Sequence, residues 1–205
     1  MRWSKEKIWD WYNSRPWMRG CNYMSADCAN RVDQWQELGF EERFKTTEEE
    51  LKLMQETGFN TVRLILEYVV WKEEHDGFME RFERYISLLW EHGISAMIVL
   101  ANDCMPPKTE RWKMPYIGVQ EYDWGYHGGK KHSQHSTMHK GPAPHFYLDD
   151  PITREDYFKM VKEIVTKYKD DERICIWDVY NEPGNSRREE ITMPYLKRMF
   201  ETVRT

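Results

Sequence analysis

No stretch of this chain comes near the roughly 20 consecutive apolar residues needed to span a bilayer, and charged residues make up 32% of its 205 positions. Its start, Met1-Arg2-Trp3-Ser4-Lys5-Glu6-Lys7, lacks the apolar core and small-residue cleavage site of a secretory leader. A soluble, cytoplasmic protein without membrane contact is therefore expected. An excess of positive charge is also missing. The formal net charge of −5 offers phosphate backbones no long-range attraction and argues against nucleic acid as the main partner. Cysteine is sparse: Cys21, Cys28, Cys104 and Cys175 form no Cys-x-x-Cys pair, so neither a zinc ribbon nor a disulfide scaffold is indicated, and reduced thiols are expected. No Gly-x-Gly-x-x-Gly follows any strand-like segment, which removes the usual signature of dinucleotide binding.

What the chain does have is aromatic side chains, 15% of its residues, enough with its aliphatics to build a core in one domain spanning 1–205. Short β-rich runs alternate with longer helical patterns, the order expected of strands joined by helical crossovers into a parallel sheet. Ser4 caps a helix reaching about Asn13, and the first strand falls within Trp17–Met24, past Pro16. Thr46 or Thr47 opens the next helix ahead of three glutamates, and Gly58 stops it. Asn60-Thr61-Val62-Arg63-Leu64-Ile65-Leu66 reads as a buried strand broken by one arginine.

From Met79 to His92, residues Phe82, Tyr85, Ile86 and Leu89 recur on one helical face, and Gly93 ends it. Ser95–Ala101 forms a third strand running into Asn102 and Asp103. A helix from Thr153 to about Lys169 precedes a fourth, Ile174–Pro183, and Glu189–Val203 is a last helix, begun or broken near Pro194. Four strand–helix units amount to half of a (β/α)8 barrel, which takes about 250 residues when complete; an open doubly wound sheet is the rival. The connection from about 103 to 152 carries five of the seven histidines, six prolines and five glycines. Its length marks it as a functional loop over the barrel mouth.

Asn181-Glu182-Pro183 ends a strand of bulky apolar residues. A carboxylate there is expected to be poorly hydrated and so suited to general acid chemistry, with Asn181 offering a donor and an acceptor to a sugar hydroxyl. The run Trp177-Asp178-Val179-Tyr180-Asn181-Glu182-Pro183 resembles the strand-four motif of the clan A retaining β-glycosidases, closest to glycoside hydrolase family 5. Asn60-Thr61-Val62-Arg63 resembles the family's strand-two motif, and Gly20-Cys21-Asn22 its strand-one Gly-x-Asn. The resemblance covers nearly the whole chain as the amino-terminal half of a barrel.

The resemblance implies a TIM-barrel enzyme acting on β-linked polysaccharides or their oligosaccharides, without cofactor. Glu182 would be the acid/base, Asn181 would bond the sugar 2-hydroxyl, and Arg63 would orient the nucleophilic carboxylate and keep it ionised. That nucleophile lies on strand seven in the family, so these 205 residues alone are expected to be inactive or very weak. The missing half-barrel, or a second copy, is the expected protein partner. A non-catalytic carbohydrate-binding or self-pairing half-barrel is the competing reading. Asn102-Asp103-Cys104 stands where many members have a histidine.

Asn22, Asn102 and Asp103 are expected to contribute to substrate binding, as is Glu67 just beyond strand two. Glu67 and Asp103 are also the carboxylates to weigh as substitutes for the nucleophile, although an exposed loop acid is the plainer reading of Glu67. Trp71, Trp112 and Trp124, in expected loops, are candidate sugar platforms because ring faces pack on pyranose C–H faces, and Trp35 is a further one. Trp9, Trp11, Trp90 and Trp177 are expected to fill core or interhelix space. His132, His135 and His139 have spacing compatible with a metal on a helix, but glycines, lysines and prolines surround them, and no metal site is expected.

Overall fold

A computed structural model of the chain describes residues 2–103, 115–120, 146–185 and 188–204. In chain order the elements are α1 (Lys5–Asn13), β1 (Gly20–Asn22), α2 (Arg31–Trp35), α3 (Phe40–Glu56), β2 (Thr61–Ile65), α4 (Tyr68–Glu73), α5 (His75–Glu91), β3 (Ser95–Val99), α6 (Phe146–Asp149), α7 (Pro151–Tyr168), β4 (Ile174–Asp178) and α8 (Glu189–Val203). The four strands make one sheet in the order β1-β2-β3-β4, every pair parallel. Sequential order without reversal is how a barrel winds, whereas a doubly wound sheet turns back at a switch point. Residues paired across parallel strands share a face. Val62, Leu64, Ala96 and Ile98 form one such set, fully buried in a core with Phe82, Tyr85, Ile86 and Leu89 of α5 and Val161 and Ile164 of α7.

Local chemistry accounts for most boundaries. Ser4 Oγ accepts the Lys7 N–H and caps α1, and Asp150 caps α7 with Pro151 in its first turn. Helices α3 and α5 stop beside Gly58 and Gly93. Gly20 is dictated by closeness: a Cβ there would lie 2.3 Å from the Thr61 carbonyl oxygen of the neighbouring strand.

Several expectations need correction. Helix α3 begins at Phe40, well ahead of Thr46, after Gly39 in the left-handed region at φ 73° with no side-chain cap. Thr47 lies inside it, fully buried, its hydroxyl donating to the Arg43 carbonyl. Trp35 belongs to α2 and is wholly buried against Phe78, Phe82 and Tyr85, its indole N–H donating to Ile65 O at 2.8 Å. It serves the core and cannot meet a sugar. Trp71 lies in α4, buried, its N–H on Glu163 Oε2 at 2.9 Å. Conversely Trp9 and Trp90 are exposed rather than core-filling, while Trp177 packs against the core as expected. Pro194 lies within α8, which runs through it unbroken.

Cys28 and Cys175 are buried free thiols. Burial pushes the Cys28 thiol up to about 12, which removes it as a nucleophile at neutral pH. No described helix is long and apolar enough to cross a membrane.

Candidate active site

The carboxyl ends of the strands gather a polar lattice around Arg63. Its place in β2 puts it in register with Asn22 of β1 and Met97 of β3, on the face opposite the core. The guanidinium donates from Nε to Asp178 Oδ2 at 3.1 Å and from Nη2 to the same oxygen in an ion pair. A further bond runs from Nη2 to Asn181 Oδ1 at 2.6 Å, and Nη1 reaches Asn22 Oδ1 at 3.0 Å. One side chain thereby ties β1, β2, β4 and the segment after β4 together. Arg63 and Asp178 keep 22% and 23% of their side-chain surface, so the pair stands at a partly wetted rim.

Asn181 is held from both sides. Its backbone N–H donates to Ala101 O at 2.7 Å and its carbonyl accepts from Asp103 N at 3.0 Å, continuing the β3–β4 ladder as an isolated bridge with Asn102. Its carboxamide accepts from Arg63 and donates from Nδ2 to Asn102 Oδ1 at 2.5 Å. The amide orientation is set by these two partners. Asn102, expected at the substrate, is buried and supports Asn181.

Glu182 follows at φ 50°, the only non-glycine residue with positive φ among those described. Such strain gathers at functional positions because the surrounding structure must enforce it. The carboxylate is exposed and accepts from Asn185 Nδ2 at 2.9 Å. This corrects the expectation of a poorly hydrated acid. β4 ends at Asp178, so Glu182 stands on the turn beyond the sheet, clear of the apolar strand residues.

The other expected carboxylates lie inside. Glu67 is 6% exposed and accepts from Tyr147 Oη at 2.5 Å, since α4 begins directly after it and folds it under the Tyr68–Tyr147–Tyr157 ring cluster. Burial, with Glu67 next in effect, holds the Tyr147 hydroxyl far above its ordinary range. Asp103 has no exposed surface. Burial raises the Tyr180 hydroxyl too, and the Asp103 charge adds to it. Both acids are buried, so Glu67 is not the exposed loop acid expected of it. Trp112, Trp124, His132, His135 and His139 fall outside the described residues, as does Cys104. Among the described residues no group of three or more His, Cys, Asp or Glu could hold a metal ion.

Asp178 was not among the residues expected at the site. The signal was present in a lone acid on one apolar strand and a lone arginine on another. Two opposite single charges in one sheet cost too much desolvation to stay apart.

A sequentially wound parallel sheet with a polar, charged lattice at its carboxyl pole defines the class, an α/β fold laid out as half of a (β/α)8 barrel. The family model described as Cellulase (glycosyl hydrolase family 5) matches residues 24–205. The chain belongs to this family, a family of glycoside hydrolases built on the (β/α)8 barrel, and supplies four of its parallel strands. No curated protein and no solved structure matches it.

Proposed function

We propose that this chain carries the acid/base side of a retaining β-glycosidase site acting on β-linked polysaccharides or oligosaccharides. Glu182 protonates the glycosidic oxygen and afterwards activates water. Asn181, its amide fixed by Arg63 and Asn102, donates to the 2-hydroxyl of the sugar being cleaved, and Asn22 and Arg63 complete the wall. The observation that carries this reading is the Arg63–Asn181–Asn102 chain of bonds, whose middle member directly precedes Glu182, the one acid with positive φ among the described residues.

Double displacement needs a second carboxylate about 5–5.5 Å from the first. With Glu67 and Asp103 buried, that group comes from strand seven, as the family resemblance implies, and Arg63 faces it. These residues by themselves then hydrolyse little or nothing.

Hydrolysis of aryl β-glycosides by this chain, and by the chain carried on through strands five to eight, tests the reading when each is compared with its Glu182→Gln variant. In the extended form turnover should fall by about 10²–10⁴-fold, with β-configured product formed first, while the chain alone shows little or none. Turnover of the extended form that is indifferent to Glu182→Gln overturns the assignment. A second reading, a half-barrel that pairs with another copy and binds glycan without catalysis, is favoured by one observation: β1 and β4 each pair along one edge only among the described residues. Light scattering coupled to size-exclusion chromatography decides that point, since a monomer excludes the paired form.

A further inference from the structure

We propose that Asp178 is the positioning residue of the site, holding the Nε/Nη2 edge of Arg63 so that one Nη1 N–H remains to receive the nucleophilic carboxylate end-on; this rests on the glycosidase reading above. The argument is an inventory of donors. A guanidinium has five N–H groups. Nε and one Nη2 hydrogen go to Asp178, the other Nη2 hydrogen to Asn181 Oδ1 at 2.6 Å, and one Nη1 hydrogen to Asn22 Oδ1 at 3.0 Å. One Nη1 hydrogen has no acceptor among the described residues.

The edge best suited to a two-pronged grip on a carboxylate is therefore occupied within this chain. A facing nucleophile receives a single hydrogen bond, and the Arg63 charge that it senses is partly offset by Asp178. The same grip settles Asn181. With its planar fork fixed by Asp178, Arg63 can place Nη2 on the Asn181 carbonyl oxygen only in the observed orientation, which sends the amide nitrogen to Asn102. Asp178 lies on the sheet face of Arg63, paired with Val99 of β3, and is built into the ladder rather than supplied by a loop.

Two measurements test this. In the chain itself, the Arg63 Nε–H resonance, assigned by its absence in Arg63→Lys, should exchange slowly and shift to the unbonded range in Asp178→Ala. An unchanged resonance overturns the proposal. In the form that hydrolyses aryl β-glycosides, Asp178→Asn removes a negative charge that opposes ionisation of the facing carboxylate, so the acidic limb of kcat/KM should move to lower pH by about 0.5 unit or more. The same variant should lower kcat about 10-fold or more with KM little changed, while Asp178→Glu keeps the charge and should leave the limb in place.

A purely structural Asp178 would lower thermal stability and leave the limb where it is. Turnover that depends on Glu182 with an unmoved limb overturns this proposal alone. Turnover indifferent to Glu182→Gln overturns the glycosidase reading, and with it any catalytic meaning of the Arg63–Asp178 grip.

Discussion

The two faces of the four-stranded sheet are built from alternate residues of the same strands and have opposite characters. On the helix-covered face Val62, Leu64, Ala96 and Ile98 are fully buried within the apolar core. On the other, Arg63, Ile65, Met97, Ile176 and Asp178 are half-buried around a fully buried Val99, and Arg63 and Asp178 form the ion pair at the carboxyl pole. One face anchors the structure and the other carries its charge. A strand with period-two alternation can serve both purposes, so changes one residue apart should differ sharply in kind.

The widest separation is expected between neighbours on β3. Ile98→Ala empties a site packed on every side and should cost about 2–5 kcal/mol, read as a fall in the urea midpoint with an unchanged slope. Met97→Ala, on the half-buried face, should cost about 1 kcal/mol or less. Equal losses would break the division into an anchoring face and an open one.

Glu67 sharpens the contrast from the end of β2, where the chain passes from the sheet into the interior. Glu67→Leu removes an acceptor from the buried Tyr147 hydroxyl and should cost about 1–3 kcal/mol. Glu67→Gln keeps a carbonyl in place and should cost less. If Glu67→Leu is neutral in stability but abolishes glycoside hydrolysis, Glu67 belongs to the reacting groups and not to the interior.

The helix-covered face was the legible one. Phe82, Tyr85, Ile86 and Leu89 announce their burial by spacing, because a helix that packs on a sheet must repeat its apolar residues every three or four positions, and all four are fully buried. The start of α3 was hidden because Gly39 supplies geometry rather than a capping side chain, leaving Thr46 and Thr47 as decoys. Helix α4 is six residues long, too short for periodicity to distinguish it from loop, so Trp71 and Glu67 read as surface residues although both are buried. At the site, Arg63, Asn181 and Glu182 stood out by motif. Asp178, although part of the same run, joins the site only through the register, which puts β2 and β4 side chains on one face.

The smallest effect lies outside both faces, on the outer surface between α5 and α7. His75 Nδ1 lies 2.9 Å from Asp76 Oδ1, and its Nε2 is 2.9 and 3.0 Å from the two Glu163 oxygens. The bond to Asp76, then that to Glu163, raises its pKa above the ordinary 6.5. A raised folded-state value means that the protonated form is favoured by folding. Its contribution is full below pH 6.5 and is lost as pH climbs through the higher folded value. With 45% of the side chain in solvent, screening limits the effect to roughly 0.2–0.5 kcal/mol. His75→Gln should therefore lower the unfolding free energy, read from urea titrations, more at pH 6 than at pH 8 by about that amount. A difference between the two pH values that stays the same in the variant would show that this surface cluster adds nothing to stability.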